Sequence, residues 1–183
     1  CALPIFDTQT GRRLQFLGHT EQVNTVDLSP NGRYALTGGN DYSAYLWDTR
    51  TGQVVWRFNH AGRVVMARLD PSGRFAFTAD SRQASIWDLK SGKEHSRLQY
   101  DHRFEVYTSA RFANGGNWLI TGAPSRQLTL WQVSDGQPLQ SWRVSPHPKV
   151  KPPSAVVYGV ALRDNDHLVS ASSSGLAEIW TIK

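Results

Sequence analysis

Cysteine is nearly absent: Cys1 is the only one among 183 residues, so neither a disulfide framework nor a cysteine-based zinc set can be built. No stretch of about 18 apolar residues occurs, which excludes a spanning apolar helix. The first residues lack the basic start and long apolar run of a secretory signal. Charge is not gathered in blocks. Twenty Lys and Arg face fifteen Asp and Glu, and the net +5 is spread along the chain, so it aids solubility without forming a footprint for nucleic acid. Helical periodicity is missing as well. With 39% hydrophobic residues the chain can still bury an ordinary core.

What the sequence does have is a repeat. IFDTQTG at 5–11 returns as LWDTRTG at 46–52, IWDLKSG at 86–92 and LWQVSDG at 130–136, and IWTIK closes the chain. The aromatic anchors Phe6, Trp47, Trp87, Trp131 and Trp180 are 41, 40, 44 and 49 residues apart, near the roughly 40–45-residue period of propeller blades except in the last interval.

Each period divides into short apolar or alternating runs separated by turn residues. The first full repeat predicts strands at 22–28, 34–38, 43–48 and 53–58, with the outer strand of a preceding blade at 13–17. The second predicts 64–69, 75–79, 84–88 and 94–98, and the third 106–112, 118–122, 127–132 and 138–143. Three strands of a fourth fall at 155–162, 167–172 and 176–181. SPNG at 29–32 and DPSG at 70–73 supply Pro and Gly where turns need their φ values. A four-stranded sheet cannot bury its apolar surface alone, whereas stacking such sheets around an axis covers both faces. The fold expected is all-β, with about four four-stranded blades forming an open arc of a propeller.

These residues resemble the WD-repeat family. Gly18-His19-Thr20 opens a repeat and Trp47-Asp48 ends its third strand 28 residues after the histidine; His60 to Trp87 and His102 to Trp131 repeat the spacing at 27 and 29. The resemblance covers essentially the whole chain. It implies a ring of seven blades, of which this chain would be a C-terminal part from a bacterial member: a blade remnant at 6–17 and blades at 18–58, 59–98, 99–143 and 144–183. It also implies a buried hydrogen-bonded set in each blade, from the Gly-His histidine through a Ser or Thr to the Trp indole, with an Asp in the next turn. Carried over, the set is His19, Thr37, Asp41 and Trp47. The second blade offers His60, Thr78 and Trp87 with Asp80 displaced by a shorter turn. The third has His102, Thr121 and Trp131 with Ser125 in place of the Asp. The fourth has only Ser170 and Trp180, so a histidine-to-indole network is not expected there. Read as chemistry, His, Ser or Thr and Asp suggest a catalytic triad. Recurrence beside a core Trp in each blade points instead to satisfied structural groups.

The function this implies is a non-catalytic protein-interaction scaffold, with no cofactor and no metal, monomeric when full length. Its contact face gathers the loops leading into first strands and those joining second to third strands. Glu21, Tyr42, Arg63, Arg82, Arg103 and Arg126 fall on that face, where forked arginine donors suit an acidic partner; Arg33 and Arg74 fall on the opposite one. The insertion SPHPKVKPPS at 145–154 accounts for the longest interval. Two other readings compete. WDTRTGQVVWRF at 47–58 also resembles pyrroloquinoline-quinone propeller enzymes, but its outer-strand Trp56 is answered by His95 and only loosely by Trp142. A nucleic-acid-binding propeller needs a basic surface interleaved with stacking aromatics, and the aromatics here occupy repeat positions. Cys1 is open to two readings. It can be a lipidated first residue, or residues 1–5 are not native, Ala2-Leu3-Pro4-Ile5 being what the end of a common sequencing adapter encodes. The compartment is left open, the bacterial envelope or periplasm being favoured over the cytoplasm.

Overall fold

A computed structural model describes residues 2–100, 106–147 and 154–183, and the side chains from Pro4 onward within them. The chain is all-β, an open arc of propeller blades built from antiparallel meanders. The first comprises β3 (Val23–Leu28), β4 (Tyr34–Gly39), β5 (Ser43–Asp48) and β6 (Val54–Asn59). The second comprises β7 (Met66–Leu69), β8 (Phe75–Ala79), β9 (Ala84–Asp88) and β10 (Glu94–Arg97). The third comprises β11 (Ser109–Ala113), β12 (Trp118–Gly122), β13 (Gln127–Gln132) and β14 (Pro138–Arg143). A three-stranded sheet follows: β15 (Val157–Asp164), β16 (His167–Ser172) and β17 (Ala177–Thr181). At the other end β1 (Ala2–Phe6) pairs only with β2 (Arg13–Leu17), and among the described residues no pairing joins either strand to β17.

Local chemistry explains these elements. The Pro-containing turns close through Gly32 N–H to Ser29 O at 2.8 Å and Gly73 N–H to Asp70 O at 2.9 Å, with both glycines at positive φ. The turns after β5 and β9 are held by an aspartate: Asp48 Oδ1 accepts from Arg50 N at 2.9 Å, and Asp88 Oδ1 accepts from Ser91 N at 2.7 Å. Asp7 occupies the same place and accepts from Thr10 N at 2.8 Å. Those amide bonds hold the Asp7 carboxyl below its ordinary pKa, and the Ser91 hydroxyl and amide do the same for Asp88. The DxxTG repeat is thus a turn-building signature.

β7 and β11 begin two or three residues later than the apolar runs predict. A 3-10 turn at Asn114–Gly116 separates β11 from β12; its three successive left-handed residues carry no periodic signal in the sequence. Gly116 is required there: a Cβ would stand 2.5 Å from Asp70 Oδ2 of the neighbouring blade.

The core lies between blades. Leu36, Leu46 and Phe58 pack on Leu69 and Ala76; Phe77 and Ile86 pack on Tyr107, Phe112 and Trp131; Ile120 and Leu130 pack on Val157, Val160 and Leu168. Phe16 of β2 joins Trp47 in a fourth cluster. Trp56 of β6 donates its indole N–H to Leu89 O at 2.9 Å and lies against Gly92, docking one outer strand on the next blade.

Side chains also stitch the inner strands together. Asp27 of β3 accepts from Leu69 N at 2.7 Å, Arg68 of β7 donates from Nε to Ala110 O at 3.2 Å, and Ser109 of β11 donates to Val157 O at 3.3 Å. Each bond satisfies a backbone group at a strand edge that has no ladder partner.

Candidate functional site

The loop face is built upward from the histidine sets. His19 Nδ1 lies 3.0 Å from both Asp41 carboxylate oxygens, so that nitrogen donates to the carboxylate. Nε2 and the Thr37 hydroxyl are hydrogen-bonded at 2.8 Å, while the Thr37 oxygen accepts from Trp47 Nε1 at 2.8 Å. Thr37 is fully buried. Asp41 also accepts from Thr20 N at 3.0 Å, which ties the loop before β3 to the turn between β4 and β5.

In the second blade Thr78 bridges His60 Nε2 at 2.8 Å and Trp87 Nε1 at 2.6 Å. Asp80, displaced in sequence, reaches the same place: its carboxylate is 3.4 Å from His60 Nδ1 and accepts from Gly62 N at 2.9 Å. Its other oxygen accepts from Arg82 N at 2.6 Å and Gln83 N at 2.7 Å. One buried carboxylate therefore shapes both the loop that carries Arg63 and the loop that carries Arg82. Tyr100 donates its hydroxyl to Arg82 O at 2.6 Å, a further clamp on the same turn.

The third and fourth sheets keep the indole bond alone among the described residues, Trp131 Nε1 to Thr121 Oγ1 at 2.8 Å and Trp180 Nε1 to Ser170 Oγ at 2.8 Å. His102 and Arg103 lie outside the described residues, as does the 148–153 stretch of the insertion. Ser125 is exposed and forms a parallel bridge with Ala155.

Tyr42, Arg63 and Arg82 line one open cleft of about 490 Å³, together with Val65 and Val106. Tyr42 is half exposed and left-handed at φ +61°, and its carbonyl accepts from His60 N at 2.9 Å, so the turn that bears it is pinned to the adjoining loop. Glu21 is exposed outside the cleft. Arg126 holds the matching left-handed position in the third blade at φ +70°, but its Nε donates to Val144 O at 2.9 Å and it does not line the cleft. Val65 and Val106 fall inside the apolar runs at 64–69 and 106–112 and so read as strand core, whereas β7 and β11 begin only at Met66 and Ser109 and leave both valines in the loops. On the opposite face Arg33 is paired with Asp48 at 2.7 Å, and Arg74 lies over the Phe75 ring at 4.8 Å.

Residues 11–48 match the WD domain, G-beta repeat model. That segment holds His19, Thr37, Asp41 and Trp47, and the match supports a WD-repeat family for the chain. The fold is similar to the crystal structure of the computationally designed Ika4 protein, with a TM-score of 0.71 at 20% identity over 91% of this chain and 94% of that one. It is also similar to the computationally designed Ika8 protein, with a TM-score of 0.79 at 21% identity over 98% of this chain and 52% of that one. The chain thus spans about half the length of the second. At these identities the likeness concerns the fold.

Two predictions arise here. His19→Ala is expected to destabilise the chain by about 1–3 kcal/mol, because it strands the Thr37 hydroxyl and one side of Asp41; urea unfolding checks this. Unchanged stability would remove the structural role assigned to the histidine. For His60, burial lowers the pKa below its ordinary value and outweighs the opposing pull of Asp80. The folded chain therefore holds His60 neutral where the unfolded chain takes up a proton. Its contribution is complete above the unfolded value of about 6.5 and declines as the pH falls from there through the folded pKa. Unfolding free energy is expected to be lower at pH 5.5 than at pH 7.5, and His60→Gln should reduce that difference. An identical difference in the variant would contradict the assignment.

Proposed function

We propose that the chain is a non-catalytic protein-docking platform and that the cleft of Tyr42, Arg63 and Arg82 receives an acidic segment of the partner. The observation that carries this reading is the convergence of two arginines, an exposed phenol and two valines from separate loops on one face. Guanidinium groups offer forked donors to carboxylates, and the valines and the tyrosine ring supply apolar contact. Repeats of the matched family generally mediate protein–protein interaction. The histidine sets support a structural rather than a catalytic role: each nucleophile candidate, Thr37 or Thr78, is fully buried, accepts from an indole and has no path to a substrate. The bacterial origin, the seven-bladed ring and the monomeric state belong to this same reading, which rests on the family resemblance.

The test compares two double variants of the full-length protein in partner capture from its source. Arg63→Ala with Arg82→Ala is expected to weaken capture and flatten its salt dependence, while Arg33→Ala with Arg74→Ala leaves both unchanged. Equal loss from both pairs, or loss only from the second, would move the docking site off this face.

A further inference from the structure

The inner strands offer a second place for a ligand, at the opposite end of the axis. The residue paired with Leu36 in the first blade is Asp27; its counterparts paired with Phe77, Ile120 and Val169 are Arg68, Arg111 and Ala161. One register position thus presents a carboxylate, two guanidinium groups and a methyl group around the axis. Asp27, Arg68 and Arg111 line a cleft of about 340 Å³ whose walls include the exposed Leu28 and Tyr158. Pro30 and Pro71, from turns joining first to second strands, also border it, which places its mouth away from the docking face.

The charges in this cleft are not balanced. Arg68 donates to two neutral carbonyls, Ala67 O at 2.7 Å and Ala110 O at 3.2 Å, and pairs with no carboxylate among the described residues. Arg111 is exposed and forms no ion pair among them. Asp27 spends one oxygen on Leu69 N. One carboxylate against two guanidinium groups leaves a net positive site between apolar walls. A cleft of this size admits a small organic molecule, and its charge favours an anionic head.

We infer that this axial cleft binds a small organic acid, its carboxylate on Arg111 with support from Arg68 and its apolar body against the exposed Leu28 and Tyr158. The site is independent of the docking reading.

The probe is octanoate, titrated into the 183-residue chain by calorimetry beside octanol and inorganic phosphate. Saturable one-to-one binding of octanoate is expected, with octanol and phosphate each at least about tenfold weaker, since one lacks the charge and the other the apolar body. Arg111→Gln should weaken octanoate about tenfold or more, and Arg111→Lys should restore part of that loss. Equal binding of octanol, equal binding of phosphate, or undiminished binding by Arg111→Gln would each overturn the inference. A second measurement does not depend on any variant: cross-relaxation from octanoate methylenes to Tyr158 ring protons and Leu28 methyl protons is expected in the unaltered chain, and its absence during saturable binding would place the ligand elsewhere.

Discussion

Replacing Trp47 by alanine is expected to lower the unfolding free energy by about 3–5 kcal/mol. The indole is almost entirely buried, stacks on Phe16 at 4.9 Å between ring centroids, and is covered by Gly18, where an added Cβ would stand 2.5 Å from the ring. Truncation would open a cavity between β2 and β5 and remove the indole donor from Thr37. The cavity dominates, because a neutral hydrogen bond contributes only about 1 kcal/mol net. Urea unfolding followed by circular dichroism measures the effect. Arg63→Ala, at an exposed position, serves as the comparison and should stay within about 0.5 kcal/mol of the parent. A Trp47→Ala loss no larger than that of Arg63→Ala would contradict the core assignment.

Asp80→Ala is expected to cost about 3–4 kcal/mol, more than the loss of an exposed turn residue. Its side chain is fully buried and accepts three backbone N–H groups, from Gly62, Arg82 and Gln83, besides facing His60. Alanine would leave those donors without an acceptor and would release the two loops that carry Arg63 and Arg82. Unfolding measurements should register the first effect. Amide hydrogen exchange should register the second, as faster exchange at Gly62, Arg82 and Gln83. Unchanged exchange at all three amides would show that the loops are held by something other than this carboxylate.

The strands were legible because the aromatic anchors Phe6, Trp47, Trp87, Trp131 and Trp180 return at nearly the same interval and the turns have their own chemistry, Pro and Gly at 29–32 and 70–73 and an amide-binding aspartate at Asp7, Asp48 and Asp88. Thr37 and Thr78 were legible through the family spacing. Asp80 was seen as displaced, and only the three-dimensional turn reveals that a carboxylate two residues after Thr78 can serve the place that Asp41 serves four residues after Thr37. The axial stitches were not legible. Asp27 to Leu69 and Arg68 to Ala110 each span 42 residues, one repeat, and depend on side chains crossing from one blade to the next. Periodicity locates such positions but carries no record of direction. For the same reason the order of the loops puts Arg126 on one face with Arg63 and Arg82, whereas its side chain turns to the Val144 carbonyl.

The docking reading is tested most directly by placing a photo-crosslinking amino acid, one position at a time, at Arg63, Arg82, Arg33 and Arg74 of the full-length protein in its source cells. The account predicts the same partner adduct from positions 63 and 82 and none from 33 or 74. Adducts from 33 and 74 alone would contradict it.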